Sequence, residues 1–97
     1  MTFLAFNQAL LETNPPQNIS EILQALWHDA KEDWESAHNI AQTQEGVQSY
    51  DRLHAYLHRK EGDDWNAKYW YKRAKTNMPK VSLLEEWNLL VQEELSK

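Results

Sequence analysis

Residues 54–74 read HAYLHRKEGDDWNAKYWYKRA, and this stretch decides the fold because it holds two helical patterns separated by one turn. Gly62 stands where a left-handed residue would end the first helix, and Asp63 or Asp64 can cap the second. Small and aromatic residues then recur at helical spacing and form an inward stripe, made of Ala67, Trp70, Tyr71 and Ala74. The stretch therefore predicts a helical hairpin that turns at Gly62.

The remaining sequence is also helical in its periodicity, with two Gly, three Pro and no alternation typical of strands. Capping boxes at Asn18–Glu21 and Ser82–Glu85 predict two helix starts, and the two prolines after Asn14 end a first helix of about residues 2–13. We predict an all-α fold of about six helices in one domain, residues 1–97. Its predicted parts are an N-terminal helix (1–16), a first hairpin (18–45), a second hairpin (47–78) and a C-terminal helix (82–96).

The two predicted hairpins are related by an internal repeat of thirty residues. Sliding the chain by that distance aligns Ala25 with Ala55, His28 with His58, Asp33 with Asp63 and Ala37 with Ala67. These residues occupy equivalent positions in both copies, and the small alanines mark where two crossing helices approach closely. The repeat therefore predicts two stacked antiparallel hairpins.

The second hairpin resembles a tetratricopeptide repeat (TPR). Its residues follow that family's order of small, aromatic, turn and proline positions, at Ala55, His58, Gly62, Asp63, Ala67, Tyr71, Ala74 and Pro79. In such repeats the first helix of each hairpin lines a concave binding groove. The resemblance implies a TPR-like pair of hairpins with added terminal helices.

A longer resemblance covers residues 27–74. The strings WHD at 27–29, AH at 37–38, HAYLHRKEGD at 54–63, NA at 66–67 and YWYKRA at 69–74 look like those of a short uncharacterised bacterial helical protein family. That family has no known activity, so the resemblance implies a helical shape and assigns no catalytic residue.

The composition excludes several functional classes. Fifteen acidic against ten basic residues give a net charge of −5, which disfavours nucleic acid and anionic membrane surfaces as partners. The absence of Cys excludes disulfides, thiolate nucleophiles and Cys-ligated metals. The apolar N-terminus lacks the basic region of a signal peptide, and this favours the cytoplasm. Without a Gly-rich phosphate loop or a nucleophile elbow, we expect no cofactor, and the sequence favours a protein that is not an enzyme.

One helix carries a candidate metal site. His54, His58 and Glu61 follow one another on successive turns and could face one point in space, and imidazole and carboxylate groups are competent ligands for zinc. His38, on the preceding helix, could complete a three-histidine site. The alternative is that these histidines lie at the edge of the core and bond to carboxylates or carbonyls.

The opposite side of the same helix carries a candidate partner-binding patch. Arg52, Tyr56 and Arg59 would suit an acidic or C-terminal peptide through bidentate contacts and an aromatic platform. We predict that the protein is a small protein- or peptide-binding scaffold module that uses this TPR-like groove. The alternative is a metal-binding protein or a small enzyme built on the histidine helix.

Two further expectations concern charges and self-association. Arg59, Glu61, Asp63 and Arg73 flank the turn at Gly62, and they predict either an ion-pair network across the hairpin or a clamp for a ligand carboxylate. Apolar residues of the terminal helices could instead pair two copies of the chain in a homodimer, as Phe3, Phe6 and Trp87 suggest.

Overall fold

The computed structural model describes residues 1–97 and contains six α-helices and no strand, which confirms the all-α prediction. Two short 3-10 segments, Ala9–Leu11 and Gln42–Gln44, extend the first and third helices. The helices are α1 (Phe3–Gln8), α2 (Glu21–Ala30), α3 (Trp34–Ala41), α4 (Gln48–Lys60), α5 (Asp64–Arg73) and α6 (Leu83–Leu95).

The thirty-residue repeat is present in the backbone, because α2 and α3 turn in the same way as α4 and α5. The amide of Asp33 donates to the His28 carbonyl over 2.9 Å, and the amide of Asp63 donates to the His58 carbonyl over 3.0 Å. Both bonds close a Schellman turn around a left-handed residue, Glu32 in the first copy and Gly62 in the second (φ 62° and 84°).

The next helix in each copy begins with the predicted aspartate cap. Asp33 accepts a hydrogen bond from the Ser36 amide over 3.1 Å, and Asp63 accepts one from the Asn66 amide over 3.2 Å. The small residues that align in the repeat are all fully buried, namely Ala25, Ala37, Ala55 and Ala67. Close helix crossing therefore explains these alanines in both hairpins.

One predicted cap is wrong by two residues. The side chain that caps α2 is Ser20, which accepts from the Leu23 amide over 3.2 Å, whereas Asn18 lies in a left-handed conformation before the helix. Asn is one of the few residues that tolerates this conformation, so Asn18 serves the turn that leads into the helix. The predicted cap of α6 is confirmed, since Ser82 accepts from the Glu85 amide over 3.1 Å.

The C-terminal helix α6 closes the core by packing across α1, α2 and α4. Trp87 is buried, its ring lies 6.0 Å from that of Phe6, and its indole N–H donates to the Leu26 carbonyl over 3.0 Å. Phe6 and Trp87 are buried and Phe3 packs against Trp87, so two of these three residues are not exposed to a second copy. A homodimer through the terminal helices stays a prediction. None of the six helices combines the length and the apolar character that crossing a bilayer requires.

Candidate metal centre

Three histidines from two helices meet at the junction between the hairpins. His38 comes from α3, and His54 and His58 come from successive turns of α4. One ligand nitrogen from each ring lies within 4.8 Å of the other two, and Nε2 of His38 is 3.0 Å from Nε2 of His54. The structure therefore brings together the three histidines that the sequence placed as candidate ligands.

The short contact between His38 and His54 holds a single proton. A neutral imidazole has one N–H donor and one acceptor nitrogen, so only one of the two facing Nε2 atoms carries hydrogen. The other ring nitrogen of His38, Nδ1, lies 3.2 Å from the side-chain amide of Gln42. A metal ion between the two rings would take the place of the shared proton.

His58 is oriented by the fourth candidate, Glu61. Nδ1 of His58 lies 2.7 Å from a carboxylate oxygen of Glu61, three residues further along the chain. Histidine ligands of metals commonly donate their second ring N–H to a carboxylate, which fixes the tautomer and the ring plane. Glu61 thus leaves Nε2 of His58 as the nitrogen that can bind an ion.

Two tryptophans enclose the imidazoles. Trp70 of α5 stacks on His54 with ring centroids 3.9 Å apart, and Trp34 of α3 stacks on His38 at 4.6 Å. The Trp34 indole N–H donates to the Leu57 carbonyl over 2.7 Å, which anchors α3 on α4. The helical spacing of Trp70 predicts a core residue, but it places neither indole beside the histidines, since stacking between helices depends on how the helices pack.

Burial keeps two of the imidazoles neutral. Desolvation, followed by the charges of His38 and His58, lowers the pKa of His54 to about 4. Desolvation and the charge of His58 also lower the pKa of His38, while the carboxylates of Glu61 and Glu45 partly oppose this shift. At neutral pH these rings have the uncharged form that binds metal ions.

His54 is the buried member of the cluster, and one of its ring nitrogens lacks a hydrogen bond. Only 3 % of this residue is exposed, and its Nδ1 atom is buried without a hydrogen-bond partner. An unpaired buried polar atom costs about 1–3 kcal/mol, and an aliphatic residue would avoid that cost. Packing alone therefore does not account for a histidine at this position.

The charged residues around Gly62 do not form the predicted network. Arg73 donates to the Tyr69 hydroxyl, and Asp63 accepts from both the backbone and the side chain of Asn66. Arg59 points the other way and bonds to Glu86 and to the Val81 carbonyl. None of these three side chains forms an ion pair with another of them across the turn, so the prediction of an ion-pair network across the hairpin is wrong.

The predicted partner-binding patch lies beneath α6. Arg52 and Arg59 each donate to Glu86, over 2.6 and 2.7 Å, and that carboxylate is completely buried. Tyr56 is 2 % exposed and donates to Asp29 over 2.7 Å. The patch is not open, and peptide binding there stays a prediction that would require α6 to move.

The chain buries three carboxylates that the sequence did not indicate. Asp29 bonds to Tyr56 and Lys60, Asp51 accepts from the Gly46 amide over 3.1 Å, and Glu86 accepts from two arginines. The helical periodicity could have indicated that Asp29 and Glu86 are buried, because both lie on the apolar face of their helices, beside Leu26 and Trp87 respectively. Their bonding partners are distant in sequence and could not be assigned.

No protein-family model, curated protein or solved structure matches the chain. The histidine cluster is therefore interpreted from its own geometry.

Proposed function

We propose that this protein binds a divalent transition metal ion, zinc in the first instance, through His38, His54 and His58. The observation that carries the proposal is the convergence of three imidazole nitrogens within 4.8 Å. Structural and catalytic zinc sites both use histidine nitrogens, and three of them with an exchangeable fourth position form a common ligand set.

The spacing of the rings supports this ligand set. Zn–N distances of about 2.0–2.1 Å put two nitrogens of a tetrahedral site about 3.3 Å apart. The Nε2 atoms of His38 and His54 are already 3.0 Å apart, and no pair in the cluster exceeds 4.8 Å. Closure around an ion therefore requires shifts of at most about 1.5 Å.

The ion would connect the two hairpins. His38 belongs to the first hairpin, whereas His54 and His58 belong to the second, so coordination crosslinks α3 to α4. Glu61 fixes the orientation of His58 through its 2.7 Å contact, and Trp34 and Trp70 shield two of the rings.

Zinc titration into tag-free protein stripped of metal tests the proposal. Calorimetry should give one site per chain, and zinc at a hundredfold excess over Kd adds about 2.7 kcal/mol of stability, which raises Tm by several degrees or more. Cobalt should produce the visible absorption of a tetrahedral site. No change in Tm at millimolar zinc would exclude the site.

The repeat provides a matched control. His28 is the counterpart of His58 in the first hairpin and lies outside the cluster, with its ring against that of Trp27. His28→Gln should bind zinc like the wild type, whereas His38→Gln and His58→Gln should weaken binding by about 100-fold or more. Equal zinc affinity in all three variants would contradict the proposal.

A further inference from the structure

The basic residues of the chain are concentrated in one segment. Residues 65–84 contain five of the ten basic residues and no acidic residue, whereas the rest of the chain contains five basic and fifteen acidic ones. The five are all exposed, on α5 and in the loop that follows it, and we call them the α5 basic surface: Lys68, Lys72, Arg73, Lys75 and Lys80. The net charge of −5 therefore conceals a surface that is locally positive.

No carboxylate of the chain forms an ion pair with the α5 basic surface. The ion pairs of the fold all use other side chains, at Arg52, His58, Arg59, Lys60 and Lys97. Basic residues in the last turn of a helix interact favourably with its dipole, which accounts for Lys72 and Arg73. The dipole does not account for Lys68, in the middle of α5, or for Lys80, beyond its end. These charges are thus available to an anionic group from outside the chain.

Three of these lysines line one open cleft of about 470 Å³. Lys68 and Lys72 lie one turn apart on α5, and Lys75 follows in the left-handed turn that ends the helix. The other residues that line the cleft are Tyr71, Thr76, Asn77 and Met78. The cleft therefore combines three ammonium groups with hydroxyl and amide donors and contains no acidic side chain, and this composition is complementary to carboxylates.

An exposed aromatic pair lies on the same side of α5. Trp65 is 78 % exposed, and its ring is nearly parallel to that of Tyr69, which is 45 % exposed. Trp65 precedes Lys68 and Lys72 by three and seven residues, so all three lie along one side of the helix. Trp and Tyr are enriched at the centres of protein interfaces, where they supply much of the binding energy. The aromatic pair therefore favours a protein segment over a small anion as the occupant.

We propose that the α5 basic surface, together with Trp65, binds an acidic segment of a partner protein. Carboxylates of the segment pair with the three lysines of the cleft, and an apolar residue between them packs on Trp65. A short segment fits better than nucleic acid, because the ten residues of α5 span only about 15 Å and a longer polyanion would extend over the acidic remainder of the molecule. The cleft shares no residue with the histidine cluster, so binding requires no metal ion.

Fluorescence anisotropy with a labelled peptide, in the presence of a chelator, tests this proposal. The peptide carries about six glutamates around a central leucine, and its matched control has glutamine in place of each glutamate. The acidic peptide should bind at least tenfold more tightly than the neutral one, and its affinity should fall at least tenfold between about 0.05 and 0.5 M salt, because salt screens exposed charges. Equal affinity for the two peptides, or no binding of the acidic peptide at about 1 mM protein, would overturn the proposal.

Two substitutions on α5 and one control locate the binding site. Lys72→Glu and Trp65→Ala should each weaken binding of the acidic peptide at least fivefold, and both side chains are exposed, so circular dichroism should show intact folds. Lys97→Glu is the control, because it makes the same change of charge at an exposed lysine beyond α6 and should alter the affinity by less than about twofold. If Lys72→Glu and Lys97→Glu weakened binding equally, only the overall charge would matter, and the assignment to α5 would be wrong.

Nuclear magnetic resonance identifies the occupant. Titration of ¹⁵N-labelled protein with the acidic peptide should shift the amide signals of residues 65–78 and leave those of α1 and α2 in place. A single-stranded oligonucleotide with the same number of charges as the peptide should bind more weakly. Tighter binding of the oligonucleotide would identify nucleic acid as the occupant, and shifts at residues 65–78 on concentrating the free protein would identify a second copy of the chain. Either result would reject the acidic protein segment.

Discussion

At the scale of single residues, Glu86 forms a buried centre of polar contacts that the sequence did not predict. Its carboxylate is completely buried and accepts hydrogen bonds from Arg52, Arg59 and Tyr71. Both arginines retain some contact with solvent, at 16 % and 18 % side-chain exposure. The arginines that were predicted to hold a partner's carboxylate therefore hold one that the chain itself supplies.

Removing the charge of Glu86 should destabilise the fold without changing its shape. Glu86→Gln keeps the side-chain volume but leaves two guanidinium groups without a counter-ion. Removing one partner of a fully buried ion pair costs about 3–5 kcal/mol, and the loss here should be somewhat smaller because both arginines are partly exposed. Urea unfolding followed by circular dichroism measures the loss. Glu93→Gln, on the exposed face of the same helix, is the control and should change stability by less than about 0.5 kcal/mol. Similar losses in both variants would mean that the buried pairs contribute little.

The histidine site and the Glu86 site differ in how far the sequence could reveal them. His54 and His58 share a face because they lie one turn apart, whereas His38 lies on the last helix of the first hairpin and joins them only through the packing of α3 on α4. Glu86 bonds to residues 34 and 27 positions away, on a helix whose docking angle has no local signature. Local periodicity therefore predicted the pair of histidines on α4, and it could not predict the contacts of Glu86.

At the scale of elements, three helices end in the same way although only one ends in glycine. Glu32 after α2, Gly62 after α4 and Lys75 after α5 all have positive φ angles, of 62°, 84° and 59°. In each case the next amide reaches back to a carbonyl of the last turn. The sequence predicted the end of α4 from its glycine, whereas Asp33 and the repeat register located the end of α2.

The repeat allows this backbone conformation to be tested by two substitutions that should change the free energy of unfolding in opposite directions. Gly62→Ala should lower the free energy of unfolding by about 1 kcal/mol, because a Cβ at positive φ is strained even though no atom lies within 4 Å of it. Glu32→Gly, at the equivalent position, should raise it by about 0.5–1 kcal/mol. Thermal melts of both variants measure the two changes.

The control for this pair is the same substitution in a helical conformation. Glu35→Gly lies in the first turn of α3, where glycine has no conformational advantage, and should destabilise by about 0.5–1 kcal/mol. If Glu32→Gly were as harmful as Glu35→Gly, the left-handed turn would not be the reason for its effect.

At the scale of the whole molecule, α4 is the central element. It bonds through Arg52 and Arg59 to α6, and through Tyr56 and Lys60 to Asp29 of α2. The sequence predicted an amphipathic helix with one inward stripe, but α4 is covered on most sides and buries polar as well as apolar residues. Coverage of this kind is a property of the assembled fold and has no signature within the helix itself.

Two tyrosines link this central arrangement to the stability of the fold at alkaline pH. Burial is the main cause that raises the pKa of Tyr56 and of Tyr71, and the carboxylates of Asp29 and Glu86, which accept hydrogen bonds from the two hydroxyl groups, raise it further. The unfolded chain loses these protons near the ordinary value of about 10, whereas the folded protein retains them. The stabilising contribution is therefore complete below pH 10 and is lost as pH rises above it, by up to about 1.4 kcal/mol per tyrosine and pH unit.

Urea unfolding at a series of pH values between about 8 and 12 should follow this dependence. Phenolate absorbance should show that Tyr56 and Tyr71 ionise only together with the loss of helical circular dichroism. A variant with both Tyr56→Phe and Tyr71→Phe should be less stable at neutral pH, because Asp29 and Glu86 each lose a donor, yet its stability should decline less steeply above pH 10. Ionisation of both tyrosines at ordinary pH with the helices intact would mean that the α4 contacts open without unfolding, and the carboxylates would then be accessible to solvent in the folded protein.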